Sequence, residues 1–564
     1  MSHAASADSS APLGTGQSQV RIRDVRSWIA SLPLAGSATS AERLYQAIFE
    51  LNRRDLDPGQ RLDLMELYAQ PVASVSAALQ APWVYLRLPM APRARRLAEF
   101  LRNLHGEMAG GYQAAIKDLL KAHHTWDRKA SVCLAAERAI DQLGEVLLRT
   151  YQVYMPIPAG VWREIHGVYR LIEEQGLLDH PVSRSGEEPR GRTTVRSTYL
   201  RVLALGLCGP YQLPQNDCLR VNAFLRARAD QAALALRPDV AVPAGQFEVD
   251  LLSDVPARAI PKGATPAAGP NLRVLSTFVL ARSAYEIIER LRGGQFPAAS
   301  EVGFDCSDSG CLDLLWLMVR FWGAGVCRQY PRRRALESEL SLCVGLKSLH
   351  FFSSGRKDFS AGRPEDQPAY TASPAPAGDG SGEIFIDLDS GVGFPDAAPE
   401  HRTRLPAWDR HESRRWAISD ESAGGLALVH RGRDVSVHVG ELLGIRSPVD
   451  SNWGVGVVRW IKSPESGRVD LGVKLLAPIA APVAVRSVDG TRQGGYVPAL
   501  QLAEVPAVGQ PRTLLLERGL APVGKELDLR ESADGISSQR VRITKVIRRT
   551  SSFEQAAFEP VAVP

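Results

Sequence analysis

The hydrophobic period of this 564-residue chain changes once along its length, from helical spacing to the alternation of short strands. Between residues 24 and 236 apolar residues recur at helical spacing, as in the stripe formed by Leu44, Ala47, Ile48 and Leu51. Such a stripe predicts an amphipathic helix. The short connections that contain Pro or Gly favour antiparallel packing of consecutive helices. We therefore expect an N-terminal helical array.

A segment rich in Gly, Pro, Ser and Ala at residues 355–381 lacks any hydrophobic periodicity. This composition is typical of a linker between domains. Residues 237–354 before it mix strand-like and helix-like patterns. The runs after it are short, β-like and separated by turn sequences, which predicts a small sheet or barrel. The expected fold class is therefore multidomain α+β.

The order of the predicted units follows from these changes of pattern. A helical array comes first, then a mixed middle region, a β-barrel and a small β accessory domain. The predicted boundaries are a disordered tail at 1–22, the helical domain at 23–236, the mixed α/β region at 237–354, the linker at 355–381, the barrel at 382–490 and the C-terminal β accessory domain at 491–564.

Composition argues against several classes of protein. The formal net charge is only +5 and acidic residues are interleaved throughout, so no DNA or RNA partner is predicted. No apolar stretch approaches the roughly 18 residues that span a bilayer, so no membrane span is expected. The N-terminal residues are small and polar and lack the apolar segment of a secretory signal, which favours a cytoplasmic protein.

Cysteine usage and motif searches give no sign of catalysis. The seven cysteines are odd in number and show no CxxC spacing, which predicts reduced, mostly buried thiols and no zinc ribbon. Cys306 and Cys311, which flank an acidic turn, are interpreted in the same way. The signatures GxxxxGKS/T, HExxH and GxSxG do not occur. We expect no catalytic residue, no metal site and no enzyme activity.

Two short motifs stand directly before a series of predicted strands. Arg410 and Arg414 form the pattern RxxxR, and Asp420, Ser422 and Gly425 form the pattern DxSxxG. Two guanidiniums four residues apart on a loop can converge on one anion. Each offers a planar fork of donors that suits phosphate oxygens or the O6 and N7 atoms of guanine. The first motif therefore predicts an anion clamp.

The second motif adds complementary groups. Asp420 can accept hydrogen bonds from the N–H edge of guanine or from a backbone amide, and Ser422 adds a hydroxyl group. Gly424 and Gly425 allow the backbone to approach a ligand closely. Solvated loop arginines and a plain hairpin turn are the simpler interpretations. Because the set lacks an activated nucleophile, it predicts a binding site and not a catalytic one.

This combination resembles the PilZ domain family, small β-barrels that bind the bacterial second messenger cyclic di-GMP. The resemblance covers about residues 400–485 and includes the later strand-like segments 454–462 and 471–475. It implies a PilZ-like β-barrel and contacts to phosphate and to two guanines. The residues that it implies as ligand contacts are Arg410, Arg414, Arg415, Asp420, Ser422, Gly424 and Gly425.

The spacing of the motifs departs from the family pattern. A strand pair separates the two motifs in most PilZ domains, whereas only five residues lie between Arg414 and Asp420. Three explanations are open: residues 382–394 supply a missing strand, Arg402 and Arg404 replace part of the clamp, or Arg415 contributes to it. A second RxxxR, formed by Arg328 and Arg332, is not followed by DxSxxG and is interpreted as a basic turn.

Two tryptophans fit strand positions in the predicted barrel. Packing is the first interpretation of both Trp453 and Trp460, although Trp453 lies near a loop where it could stack on a base.

The resemblance implies a bacterial cyclic di-GMP receptor or effector that signals to a protein partner through its helical region. Motility, attachment and exopolysaccharide control are the implied pathways, and no cofactor besides the nucleotide ligand is expected. The alternative is a structural adaptor with a degenerate barrel that binds no nucleotide. The five-residue spacing favours that alternative.

Overall fold

The structure is a computed structural model. It describes residues 21–33, 38–81, 83, 88–121, 128–183, 192–237, 245–260, 269–307, 310–324, 338–359, 411–422, 424–432, 436–488, 495–504, 511–531 and 538–561. The chain divides into two compact units, one built mainly from residues before 328 and the other mainly from residues after it. Among the described helices, none combines the length and the apolar character that crossing a bilayer requires.

The N-terminal unit begins with a helical array, as the periodicity predicts. Asp57 caps one helix, because its side chain accepts hydrogen bonds from the backbone N–H groups of Gly59 and Gln60. Thr194 and Ser197 form a capping box at another. The helices are α1 (Ile22–Ser31), α2 (Ala38–Asn52), α3 (Pro58–Gln80), α4 (Pro92–Lys121), α5 (Arg128–Gln152), α6 (Val161–Glu174), α7 (Val195–Leu207) and α8 (Asp217–Arg228).

Helix α5 lies at the centre of this array and buries charged as well as apolar side chains. Each buried charge has a partner: Arg149 contacts Glu145, and Arg138 contacts both Glu66 and Glu137. Buried charges persist only when they are paired in this way. The array therefore has a polar as well as an apolar core.

The remainder of the N-terminal unit is mixed, as expected for the region after residue 236. Helix α8 ends at Arg228, earlier than predicted, because residues 233–235 pair with a later strand. The sheet order is β3-β6-β4-β5, and β1 and β2 form a separate pair. The elements are β1 (Val182–Ser183), β2 (Arg192–Thr193), β3 (Ala233–Ala235), β4 (Gln246–Asp250), β5 (Arg258–Ala259), β6 (Leu272–Ser276), α9 (Phe278–Arg292), α10 (Ala299–Val302) and α11 (Gly310–Ala324).

The prediction of uniformly reduced cysteines is wrong at one pair. Cys306 and Cys311 form a disulfide, with their Cα atoms 5.1 Å apart, which lies within bridging distance. The prediction failed because it rested on the odd number of cysteines and the absence of CxxC spacing, and neither observation excludes a bridge between two cysteines that flank a turn. Cys133 and Cys343 are free and buried, and burial raises the pKa of their thiols to about 11 and about 12.

The C-terminal unit contains two closed antiparallel barrels. The first barrel has the strand order β10-β11-β12-β9-β8-β7, and the second has the order β13-β14-β15-β18-β17-β16. The first barrel and its helix comprise β7 (Glu339–Val344), α12 (Leu346–Ser353), β8 (Ser413–Ser422), β9 (Gly425–Arg431), β10 (Leu442–Arg446), β11 (Gly454–Lys462) and β12 (Arg468–Ala477). The second comprises β13 (Ala480–Ser487), β14 (Val497–Leu502), β15 (Thr513–Glu517), β16 (Glu526–Arg530), β17 (Ser538–Arg549) and β18 (Phe553–Pro560).

The first barrel differs from the predicted range 382–490 at both ends. Strand β7 lies before the predicted linker, yet it pairs with β8 and β10 and closes the barrel. Strand β13, predicted in the same range, belongs to the second barrel. Local patterns predict strands but not their partners, which is why these assignments failed.

Helix α12 packs between the two barrels. Its buried Leu349 and Phe352 belong to one hydrophobic cluster with Trp453 of the first barrel and with Leu500 and Phe553 of the second. The rings of Phe352 and Trp453 have centroids 4.9 Å apart. A single apolar core therefore joins the barrels.

We expect Leu349→Ala to loosen both barrels together. Truncating a fully buried leucine costs about 2–5 kcal/mol of unfolding free energy, and here the cavity would open in the shared cluster. Hydrogen–deuterium exchange of the full chain should show faster exchange in β10 and in β14. Lys347→Ala on the exposed face of α12 is the matched control and should change neither. Faster exchange confined to one barrel would contradict a shared core.

Candidate functional site

The DxSxxG motif forms the hairpin between strands β8 and β9. Ser422 pairs with Gly425 across the turn, and the Ser422 hydroxyl donates a hydrogen bond to the Gly425 carbonyl at 3.2 Å. Leu475 of the neighbouring strand β12 donates its backbone N–H to the Gly424 carbonyl at 3.3 Å. The hairpin interpretation and the binding interpretation of the motif are therefore compatible.

A β-bulge in β8 reverses the face on which the motif residues lie. Ile418 pairs with Leu428, while Asp420 pairs with Ala427, so Ser419 is an extra residue. Leu428 is fully buried in the barrel, and Ile418 shares its face. Without the extra residue Asp420 would share that face too, because side chains alternate along a strand. The bulge directs Asp420 to the outer surface.

A second bulge does the same for Trp460 in β11. Val458 pairs with Val473, both buried, whereas Trp460 pairs with Gly472 after one extra residue. Gly472 also pairs with Ala427 of β9, the partner of Asp420. Paired residues of neighbouring strands lie on the same face. The two bulges therefore bring four side-chain positions into one outer row: Asp420, Ala427, Gly472 and Trp460.

Two glycines in this surface are required by close approach. A Cβ atom at Gly472 would lie 1.8 Å from Nε1 of Trp460, so the indole packs directly against the glycine backbone. A Cβ atom at Gly425 would lie 2.1 Å from the Val473 carbonyl oxygen. Both distances exclude any side chain. Gly425 therefore holds β9 close to β12.

A second row runs parallel to the first. It contains Ser422, Gly425 and Lys474, which are paired across β8, β9 and β12. Together the rows offer a half-buried carboxylate at Asp420, a hydroxyl, an exposed ammonium and an indole around a floor of small residues. An indole can stack on a base, a carboxylate can accept from a guanine N–H edge, and an ammonium can contact phosphate.

Arg414 lies in strand β8 and not on the loop predicted from the sequence. It pairs with the buried Leu342 and is two residues from Trp416, which is 1% exposed, so it shares their inward-facing side. Its guanidinium donates a hydrogen bond to the Glu412 carboxylate at 2.5 Å. Six residues of strand separate it from Asp420, which is about 20 Å. The structure does not bring these two residues together.

Arg415 lies on the opposite side of the strand from Arg414. Its side chain is 86% exposed, and its Nη1 lies 3.9 Å from Oε2 of Glu339. The remaining predicted clamp residues and the predicted substitute strand lie outside the described residues, namely Arg410, Arg402, Arg404 and the segment 382–394.

Strand β7 enters the barrel at the end where β8 carries Asp420. The two strands are antiparallel, and the Ser338 carbonyl accepts a hydrogen bond from the Ile418 N–H at 2.9 Å. The sequence just before this point contains Arg328 and Arg332, which lie outside the described residues. The RxxxR pattern therefore precedes the strand that pairs with the DxSxxG strand.

Trp453 packs in the core, as the first interpretation of both tryptophans predicts, whereas Trp460 lies on the outer row. Trp453 is 5% exposed and packs against Phe352 in the core shared by the barrels, so it is not a stacking surface. Trp460 is only half-buried and lies in the Asp420 row. The sequence feature that could have indicated this position is Gly472 in the following strand, because Gly472 pairs with Trp460.

Comparison with known proteins gives three family matches and one relative. The matched models are the N-terminal domain of the cyclic-di-GMP receptor FimW over residues 23–239, its middle PilZ domain over residues 394–482, and the FimW C-terminal β-barrel domain over residues 483–561. The cyclic-di-GMP receptor FimW of Pseudomonas aeruginosa is 25% identical over 572 aligned positions, which cover 96% of this chain and 91% of the relative. No solved structure matches the chain significantly.

We expect Gly425→Ala to disrupt the pairing of β9 with β12. The added Cβ would overlap the Val473 carbonyl, and overpacking of this kind costs about 1–3 kcal/mol. Hydrogen–deuterium exchange of the two strands and the thermal midpoint of the full chain would measure the effect.

Gly454→Ala in β11 is the matched control for this substitution. Its added Cβ would meet no atom closer than 3.4 Å, so stability should change by less than about 0.5 kcal/mol. Equal effects of the two substitutions would contradict the close-approach explanation.

Proposed function

Because this chain belongs to the PilZ family, we propose that it is a bacterial cyclic di-GMP receptor whose nucleotide contacts the outer face of the first barrel. The observation that carries this proposal is the outward row of Asp420, Ala427, Gly472 and Trp460, created by two bulges. A barrel that served only as a scaffold would not need a carboxylate and an indole brought to the surface in this way.

The outer face carries side chains that can hydrogen-bond to guanine and stack on it. Asp420 accepts hydrogen bonds from the amino and ring N–H groups of one guanine, and Trp460 stacks on a base plane. Gly424 and Gly425 allow the ligand to reach the backbone of the hairpin. Ser422 and Lys474 contribute a hydroxyl and a cation from the second row.

We assign the arginine clamp to Arg328 and Arg332. The antiparallel pairing of β7 with β8 supports this assignment, because Ser338 adjoins Ile418 at the Asp420 end of the barrel. An RxxxR pattern that leads into this strand also removes the anomaly of the five-residue spacing. The clamp and the DxSxxG strand are then separated by β7, α12 and the long segment that follows.

The arginines expected from the nearer motif have a weaker claim. Arg414 shares the inner face of β8 and contacts Glu412, and Arg415 lies about 16 Å along the strand from Asp420. Arg410 lies within the range that the PilZ domain model matches. The nearer RxxxR motif is therefore the competing assignment for the arginine clamp.

The proposed receptor acts in the cytoplasm and passes its signal to a protein partner through the helical region. Motility, attachment and exopolysaccharide control are the pathways that the family resemblance suggests. The competing function is an adaptor with a degenerate barrel, which predicts that the full chain binds no cyclic di-GMP.

Titration calorimetry of the full chain with cyclic di-GMP tests the function and the clamp together. Arg332→Ala and Arg328→Ala should each remove charge-assisted contacts of about 1.5–3 kcal/mol, which raises Kd about tenfold to a hundredfold. Asp420→Ala should weaken binding as well. Arg414→Ala should leave Kd within about threefold of the unmodified protein, since its loss is less than about 0.7 kcal/mol.

Arg431→Ala is the matched control for charge. This arginine lies in the same barrel, is exposed, and pairs with Glu465 at 2.8 Å, so its removal should leave Kd unchanged. A large loss for Arg414→Ala with none for Arg332→Ala would return the clamp to the nearer motif. No binding by the unmodified protein would establish the adaptor alternative.

A further inference from the structure

A basic groove of about 400 Å³ lies between the two barrels of the C-terminal unit. Its volume is within the range of about 300–1,000 Å³ that small-molecule sites occupy. One wall comes from β12 of the first barrel and the other from β17 and β18 of the second. The residues that matter to its chemistry are Lys474, Leu475, Lys545, Ile547, Arg548 and Gln555.

The groove gathers cations from both barrels. Lys474 comes from the first barrel, and Lys545 and Arg548 come from the second. Among the described residues, the side chains that line the groove include these three cations and no carboxylate, and a cleft lined by one sign of charge focuses its field on an anion. The groove therefore favours a negatively charged ligand.

The walls of the groove are also partly apolar. Leu475 is 38% exposed and Ile547 is 41% exposed. Their positions beside cations suit a ligand that combines phosphate with a flat or sugar-like apolar surface. An inorganic anion would use the charges but not these side chains.

The groove begins where the nucleotide-binding face ends. Lys474 pairs with Gly425 of the DxSxxG hairpin, and the next residue, Leu475, donates its N–H to the Gly424 carbonyl at 3.3 Å. The same stretch of β12 therefore forms the last position of the Ser422 row and the first wall of the groove. A ligand seated on the hairpin can continue into the groove without leaving the surface.

We propose that this groove is part of the ligand site, so that cyclic di-GMP is held by cations of the second barrel as well as by the first. This inference rests on the proposed nucleotide-binding function. It extends the site to the second barrel, which contains none of the predicted site residues. Lys545 and Arg548 contact phosphate, and Leu475 and Ile547 pack against the sugar or base. The nucleotide then bridges the two barrels.

Two other arginines of β17 provide a control that separates a specific ligand site from a general effect of positive charge on the strand. Arg540 lies 3.4 Å from Asp528 and Arg542 lies 2.9 Å from Glu526. Neither arginine is among the residues that line the groove. They also provide a control that removes the same number of charges from the same element.

The test is calorimetric titration of the full chain with cyclic di-GMP at two salt concentrations. The double variant Lys545→Ala with Arg548→Ala should raise Kd by at least about tenfold, and the loss of affinity with added salt should become less steep, because two phosphate contacts are gone. Lys545→Ala alone should raise Kd in the same direction. It keeps the test valid if the double variant is unstable, since Lys545 is exposed.

The control double variant Arg540→Ala with Arg542→Ala should leave Kd and its salt dependence unchanged. Hydrogen–deuterium exchange supplies a second measurement: bound nucleotide should slow exchange in β17 as well as in the β8–β9 hairpin. No binding by the unmodified protein would overturn the proposed function. Intact binding by the Lys545 variants, with Asp420→Ala still impaired and no protection in β17, would overturn only the bridging inference.

Discussion

Two extra residues, one in β8 and one in β11, determine what the first barrel can present to solvent. Each bulge shifts the alternation of side chains by one position. Without them Asp420 would follow Ile418 and Trp460 would follow Val458 toward the barrel interior. A carboxylate there would carry a large desolvation penalty. With them, both groups lie on the outside in a single row.

The row depends in turn on the small residues between its ends. Gly472 accommodates the Trp460 indole against its backbone, and Gly425 allows β9 to approach the Val473 carbonyl. Larger side chains at these places would push the strands apart or fill the space above the sheet. Gly425 of the motif is therefore required by the packing of the barrel. This structural requirement is compatible with the proposed role of the hairpin in binding.

The sequence predicted much of the fold, and its failures share one cause. Helical periodicity predicted the N-terminal helical array, and the strand-like segment 454–462 coincides with β11. What it missed were relations between distant segments. The pairing of β7 with β8 crosses a long intervening segment, so the proposed role of Arg328 and Arg332 could not be inferred from the sequence. The role of Trp460 and the register shift at Ser419 likewise depend on neighbours in space.

The joining of the barrels gives the site a physical route to the remainder of the C-terminal unit. Leu349 and Phe352 of α12 lie in one cluster with Phe553 of the second barrel, and α12 follows β7 directly. Strand β7 also pairs with the strand that carries Asp420. A packed core resists gradual deformation, so in the proposed receptor a ligand that contacts both β8 and β17 would act on α12 and on both barrels together. On this proposal, the differential affinity that any signal requires would arise from the packing of the two barrels against each other, since α12 belongs to their shared core.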